Sequence, residues 1–283
     1  MFEWKVLSEH VSYLEYGVGD RPVLAYIHGD EKAVVVDGGC SAAHANIFLS
    51  YLSETERKKI DAVLLTHGHW DHFFGAGTIG ENVICNPNTK KATKEYQGKV
   101  FSIAKIEEFY NTGKLIDFGY KNMLIEFEDN DEKTVIPEFK SIEGSVCYDL
   151  GGVSVIYEPV ETCHCDHSSI IYVEQDKVLF AGDSLWPNME EESKDWYYSL
   201  SAFRKLRENL KKYGADIIID SHDNPQKSED MYRWMDKIEY LIKCGLEKKL
   251  NLDEMIDSIP EELKKYSSCY DDLIYGSCLN AIE

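Results

Sequence analysis

Thr66-His67-Gly68-His69-Trp70-Asp71-His72 follows the apolar run Asp61-Ala-Val-Leu-Leu65, and the reading of the whole chain turns on this junction. Its six residues from His67 to His72 hold three imidazoles and one carboxylate. Residues two apart on an extended segment point the same way, so His67 and His69 can grip one ion. Asp71 and His72 fall on the turn beyond, where they can reach a second ion, and two neighbouring ions can share one hydroxide. Imidazole with carboxylate suits zinc first, then iron or manganese.

A metal site does not close on one turn, so further donors are expected at the ends of other strands. Glu161-Thr-Cys-His-Cys-Asp-His-Ser-Ser follows the strand-like Val153 to Tyr157 and offers His164. Phe180-Ala-Gly-Asp-Ser-Leu follows Lys177-Val-Leu-Phe and offers Asp183, a carboxylate able to bridge two ions. Ile217-Ile-Ile-Asp-Ser-His-Asp places His222 just past a third apolar run. Each donor sits where a buried strand meets a loop, the place where open active sites collect on layered α/β folds.

With these residues in place, the chain resembles the metallo-β-lactamase superfamily. His67-x-His69-x-Asp71-His72, then His164, Asp183 and His222, follow that family's motifs in order, and Val34-Val-Val-Asp-Gly-Gly is similar to its first motif. The resemblance covers about residues 10 to 225. It implies an α/β chain folded as an αβ/βα four-layer sandwich, with the metals at one edge between two sheets each backed by helices. It further implies two divalent metal ions. His67, His69 and His164 would hold one, and Asp71, His72 and His222 the other, with Asp183 bridging and Asp37 as the acid behind the metal ligands. The family is mostly hydrolytic, so a metal-bound hydroxide is the expected nucleophile, and Asp71 is the residue expected to orient that water and take its proton. No Ser or Cys nucleophile is needed.

Departures from the family pattern narrow the substrate. Where many members carry Gly-His-Thr-x-Gly-Ser, this chain has Cys163-His-Cys-Asp-His-Ser, which makes the loop bulkier and more polar and brings in His167 as a candidate substrate contact, proton carrier or partner of Asp166. Cys163 and Cys165 lack a second cysteine pair at ligand spacing and are expected to pack beside His164. Met1 to His10 has no apolar core of the length an export signal needs, so a secreted antibiotic-degrading enzyme is not expected. Many such members also carry Cys where Asp183 stands, and the flavodiiron members place Glu where His69 stands. With 30 Lys plus Arg against 51 Asp plus Glu, the net charge of −21 disfavours a nucleic-acid partner, and Lys90-Lys-Ala-Thr-Lys is the only dense basic cluster. The expectation is hydrolysis of a small-molecule thioester, lactone or carboxylic ester, in the manner of the glyoxalase II and lactonase branch. Phosphodiester cleavage of a small substrate, and sulfur oxidation by a single iron, remain as alternatives, as does a metal-retaining sensor without turnover.

Composition agrees with one main soluble domain: 43% hydrophobic, 29% charged, and no apolar stretch of membrane-spanning length. Eight Cys in irregular positions, Cys40, Cys85, Cys147 and Cys244 among them, are expected as reduced thiols in the cytoplasm. Oligomeric state is not legible.

Short apolar runs at 34–36, 63–65, 83–85, 153–157, 170–173, 178–180 and 217–219 read as strands, the pair around Glu174-Gln-Asp-Lys as a hairpin. Leu200, Phe203, Leu206, Leu210 and Tyr213 form one helical stripe ended by Gly214. Residues 1–225 are expected to form the main domain, with an insertion or lid at about 88–144. Residues 226–283 are expected to form a helical C-terminal extension packed on it. There Met231, Trp234, Met235, Ile238, Leu241 and Ile242 stand at helical spacing with Ser228 as cap, and helices are expected to start at Leu250 and at Ser258. Beyond Asp183, Trp186, Tyr197 and Tyr198 flank the acidic turn Met189-Glu-Glu-Glu and are candidate substrate contacts.

Overall fold

Each apolar run read as a strand is a strand, and its side chains alternate between two cores. Val34 and Val36 face one cluster while Ala33 and Val35 face another. Ile171, Val173, Val178, Phe180 and Ile219 join the first cluster, whereas Ile170, Tyr172, Leu179, Ala181 and Ile218 face a third. Strands apolar on both faces must be covered on both, which is why these segments are continuous Val/Ile/Leu runs and not alternating ones.

The computed structural model describes residues 3–53, 58–128, 133–188, 196–268 and 271–283, so the acidic turn from Met189 to Glu192 lies outside the described residues. One sheet runs β1 (Trp4–Val6), β2 (Val11–Leu14), β3 (Leu24–His28), β4 (Lys32–Val36), β5 (Lys59–Leu64), β6 (Val83–Cys85). Beyond a ribbon of β7 (Val100–Phe101) and β8 (Thr134–Val135), β9 (Lys140–Ser141) returns to the edge of β6. The second sheet runs in chain order through β10 (Val146–Asp149), β11 (Ser154–Val160), β12 (Ser168–Val173), β13 (Val178–Gly182), β14 (Ile217–Asp220) and β15 (Gln226–Lys227). β4, β5, β6 and β9 are mutually parallel, as are β13 and β14, and the expected hairpin is the antiparallel β12–β13 pair.

The two sheets face each other across the cluster of Val34, Leu64, Tyr157 and Phe180. The outer face of the first is covered from α1 (Ala42–Ser53), α2 (Trp70–Phe73), α3 (Ala76–Ile79), and, past α4 (Pro87–Ala92), from α5 (Ile103–Asn111) and α6 (Asp117–Glu128). The outer face of the second is covered by α7 (Leu200–Lys212), α8 (Ser228–Glu247), α9 (Leu252–Asp257) and α10 (Asp271–Cys278). The result is the αβ/βα four-layer sandwich, with C-terminal helices on the second sheet.

α7 shows the local logic. Ser199 caps it by accepting from the Ala202 amide, worth about 1 kcal/mol. Leu200, Phe203, Leu206 and Leu210 are all buried on one side, at roughly 1.5–3 kcal/mol each, and Gly214 leaves the helix at φ +59°. The α8 stripe is buried as expected, but Ser228 is not its cap. Lys227 takes that place, while the Ser228 hydroxyl donates to the Ala215 carbonyl and ties the helix to the entry of β14. Of the two further helix starts, the first is α9, closed by a capping box of Asn251 with Glu254. The second is no helix: Leu263 N–H bonds Pro260 O and Lys264 N–H bonds Glu261 O, successive three-residue turns that bring Ile259 and Leu263 onto the core.

The 88–144 stretch supplies α5, α6 and the β7–β8 ribbon, and its Phe101, Ile106, Phe109, Met123 and Phe127 are buried against the first half of the sandwich. Among the described residues no helix is long and apolar enough to cross a membrane.

Candidate metal centre

Parallel strands put their C-terminal ends on one edge, and that edge gathers the polar side chains predicted above. Asp37 follows β4, His67 and His69 follow β5, and α2 carries Asp71 and His72; His164 follows β11, while Asp183 and His222 follow β13 and β14. Two donor groups result, His67/His69/His164/Asp183 and Asp71/His72/Asp183/His222, the ligand atoms within each lying within 4.8 Å of one another. Asp183 belongs to both.

Hydrogen bonds behind the rings decide which nitrogen faces inward. Asp37 is fully buried at φ +59° and accepts from the Thr66 amide at 2.7 Å, the Thr66 hydroxyl at 2.8 Å and His72 Nδ1–H at 2.8 Å, leaving His72 Nε2 toward the cluster. The Thr66 hydroxyl has spent its proton on Asp37, so it accepts from His67 Nδ1 at 3.1 Å and turns His67 Nε2 inward. His164 Nδ1–H donates to Pro187 O at 3.0 Å, and its Nε2 lies 2.9 Å from His69 Nδ1. Asp183 Oδ2 is then 3.8 Å from the Nε2 atoms of His67 and His164 and 3.4 Å from those of His72 and His222. Asp71 Oδ2 is 2.9 Å from His72 Nε2 and 3.3 Å from His222 Nε2.

These residues fit a divalent metal on the structure's own terms. His67 Nε2 and Asp183 Oδ1 are buried with no hydrogen-bond partner, a costly arrangement that an ion would relieve. The donor set is all nitrogen and carboxylate oxygen. Burial, with neighbouring imidazoles, holds His67 and His69 well below the usual histidine range, and burial also lowers His164, so the three rings are neutral and each has a lone pair to offer an ion. Burial works against the charges of the other group, yet Asp71, Asp183 and Asp37 hold His72 well above its usual range, and Asp183 and Asp71 do the same to His222. In turn, Asp183 and Asp71 are held below the carboxylate range by His72 and His222 despite their burial.

Above the donors opens a cavity of about 300 Å³. His69, Asp71, His164, Asp183 and His222 form its floor, and Trp70, Tyr96, Leu115, Ile116, Phe118 and Trp186 give it apolar walls. Four of those walls come from the 88–144 stretch. His167 and Trp186 line this cavity, and Trp186 Nε1–H reaches both Asp220 carboxylate oxygens at 3.2 Å.

Tyr197 and Tyr198 do not, which corrects the expectation for both. Tyr198 is fully buried in the helical core with its hydroxyl donating to Leu185 O at 3.0 Å. Tyr197 pairs its backbone with Asn188 and lines a separate groove of about 900 Å³ beyond the His164 loop. Cys163 and Cys165 are buried thiols: Cys163 Sγ accepts from the Ser199 amide at 3.0 Å, and burial pushes Cys165 up to about 12. Asp20 was not anticipated. It lines the cavity from a Gly19-Asp20 turn with both residues at positive φ, and burial together with Asp71 pushes its carboxyl up to about 7. A Gly-Asp pair is a turn signal, and nothing in it points to the metal edge. Lys114 was likewise missed; among the described residues it is the only Lys or Arg lining the cavity, and it pairs with Glu95.

The family model described as "Metallo-beta-lactamase superfamily" matches residues 18–222. The chain belongs to this superfamily of metallo-hydrolases. Among curated proteins it is 34% identical over 102 residues to the exodeoxyribonuclease WalJ of Streptococcus pneumoniae, a match covering 33% of this chain and 36% of that protein. Among solved structures it is similar to a stereoselective inverting sec-alkylsulfatase from Pseudomonas sp., with TM-score 0.70 and 20% identity, covering 99% of this chain and 50% of that one. An archaeal metallo-beta-lactamase superfamily protein from Sulfolobus tokodaii gives TM-score 0.57 at 17% identity, covering 82% and 86%. The chain thus spans about half the length of the alkylsulfatase, and these structural likenesses concern the fold.

Proposed function

We propose that this chain hydrolyses a carboxylic ester-type bond, whether thioester, lactone or simple ester, in a small and partly apolar molecule. The observation that carries the reading is the cavity: about 300 Å³, walled by aromatic and aliphatic side chains, with the donor groups at its floor. His67, His69 and His164 would hold one divalent ion and Asp71, His72 and His222 another, with Asp183 common to both and zinc the first choice for this donor set. Such ions, when bound, acidify a water and polarise the bond under attack. Asp71 orients the attacking water and takes its proton, its Oδ2 already lying between His72 and His222. The 88–144 stretch, through Tyr96, Leu115, Ile116 and Phe118, selects the apolar part of the substrate and excludes bulk water. All described cysteines are unpaired, in support of a reducing, cytoplasmic setting.

A second reading, phosphodiester cleavage, is favoured by the likeness to the exodeoxyribonuclease. The net charge of −21, and a cavity in which the described residues supply a single lysine, already paired with Glu95, weigh against a polyanion. Metal analysis of the purified protein, joined to a panel of thioesters, lactones, carboxylic esters, phosphodiesters, secondary alkyl sulfates and single-stranded DNA, separates the readings. Two zinc ions per chain with fastest turnover on the carboxylic esters is the expected result. Preference for phosphodiesters or DNA, or one iron with oxygen consumption, overturns it.

A further inference from the structure

His167 stands where the family pattern has a small residue, and its surroundings hold the ring in one tautomer. The Gly68 amide donates to His167 Nδ1 at 3.1 Å. Cys165 Sγ lies 3.4 Å from the same nitrogen and 3.2 Å from Ser168 Oγ. A ring nitrogen that accepts from a backbone amide carries no proton of its own, so the proton of the imidazole resides on Nε2.

The backbone that carries the ring is tied to α4. The His167 carbonyl accepts from Asn86 Nδ2 at 3.0 Å and from the Thr89 hydroxyl at 2.7 Å, both at the start of α4. Gly68 is a close neighbour: a Cβ there would stand 3.3 Å from His167 Cε1 and 3.0 Å from Thr93 Cγ2. The imidazole lies 6.2 Å from the His67 ring and 5.7 Å from the His69 ring, centroid to centroid, and lines the cavity. With Nδ1 turned to Gly68 and Cys165, the edge left for a ligand is the one bearing Nε2–H, and among the described residues nothing else bonds it.

We propose that His167 is a preorganised hydrogen-bond donor whose Nε2–H binds the oxygen that gains negative charge as the substrate carbonyl is attacked. No proton leaves the ring. The imidazole acts as a fixed dipole, the kind of group that stabilises a developing oxyanion without reorganising. The assignment deepens the hydrolytic reading above and rests on it for the identity of that oxygen. What it requires of the molecule is independent of the bond that is cut: a neutral Nε2–H tautomer and an oxyanion-binding role separate from metal retention.

Two measurements on the zinc-loaded protein test it. Long-range nitrogen–proton NMR of histidine-labelled protein at neutral pH, with His167 assigned by comparison with His167→Gln, is expected to show the Nε2–H form; an Nδ1–H form or an imidazolium overturns the proposal. Titration with inorganic phosphate, as a tetrahedral oxyanion, is expected to show binding weakened about 10-fold or more in His167→Ala. His167→Gln, which keeps an N–H donor, is expected to stay within about 3-fold of the unaltered protein. Zinc content should be the same in all three. Equal phosphate affinity in the alanine variant, no phosphate binding by the unaltered protein, or loss of zinc on substitution overturns it. A substrate panel without turnover would sink the ester reading and leave both of these readouts to judge His167.

Discussion

The two halves of the sandwich supply donors to the same edge in opposite ways. The first half places His67, His69, Asp71 and His72 on one turn, braced by a single buried carboxylate, Asp37, through Thr66 and His72. The second half sends His164, Asp183 and His222 from the ends of three strands, and braces His164 with a backbone carbonyl, that of Pro187. A contiguous turn keeps its geometry through local hydrogen bonds. Three strand ends keep theirs only while the sheet stays in register. The halves meet at Gly182, at φ +57°, where a Cβ would lie 2.7 Å from Thr66 Cβ, and at Ser169, whose amide donates to Thr66 O at 2.7 Å. The lesson is that the first half is braced by a side chain, which substitution can remove, and the second by backbone and register, which it cannot.

Asp183 comes from the second half yet belongs to both donor groups, so its removal should have the largest effect. Asp183→Ala is expected to lower turnover of the best panel substrate by on the order of 10³-fold, with far-UV circular dichroism unchanged. Activity near that of the unaltered protein would show that the halves do not share a ligand. Asp37→Asn sharpens the contrast, because it touches only the first half's bracing. Affinity for the ion at Asp71, His72 and His222, where His72 bonds Asp37 directly, should fall about 10–100-fold in a two-step zinc titration, while the step belonging to His67, His69 and His164, reached from Asp37 only through Thr66, weakens less. Equal weakening of both steps would mean that the bracing is common property.

Gly182→Ala tests the seam. Positive φ and the Thr66 contact together predict a loss of about 2–4 kcal/mol in urea unfolding; a loss under about 0.5 kcal/mol would show that the halves are not in tight contact there. The smallest expected effect concerns His44, buried beneath the first half's turns with its Nδ1 accepting from the Cys40 amide at 3.4 Å. Burial pushes it down to about 3, whereas in the unfolded chain it titrates near the ordinary value of 6.5. Between those values the unfolded state binds the extra proton, so this residue makes stability rise with pH, by at most ~1.4 kcal/mol per unit. His44→Gln should flatten the stability slope between about pH 4 and pH 6, and an unaltered slope would assign the acid sensitivity elsewhere.

Much of the edge was legible before any coordinates. His67, His69, Asp71 and His72 declare themselves because metal chemistry uses few residue types and a turn after a strand aligns them at fixed spacing. His164, Asp183 and His222 were readable for a related reason, each sitting just past an apolar run. The aromatic residues after Asp183 were not. Trp186 turns to the cavity, Tyr198 into the helical core and Tyr197 to another groove, because their directions follow from which neighbours bury them. The turn at Pro260, read as a helix start, was decided in the same manner by the burial of Ile259 and Leu263.

Short-range chemistry therefore belongs to the sequence: which atoms can bind a metal, and which runs form strands buried on both faces. The tertiary structure alone decided that Asp20 and Lys114 reach the cavity, that the 88–144 stretch walls it, and that the Gly68 amide meets His167 at Nδ1. The division has a physical origin. Donor type and strand pattern are properties of neighbouring residues, while cavity walls and tautomers depend on contacts between segments distant along the chain, which exist only once the sheets have packed.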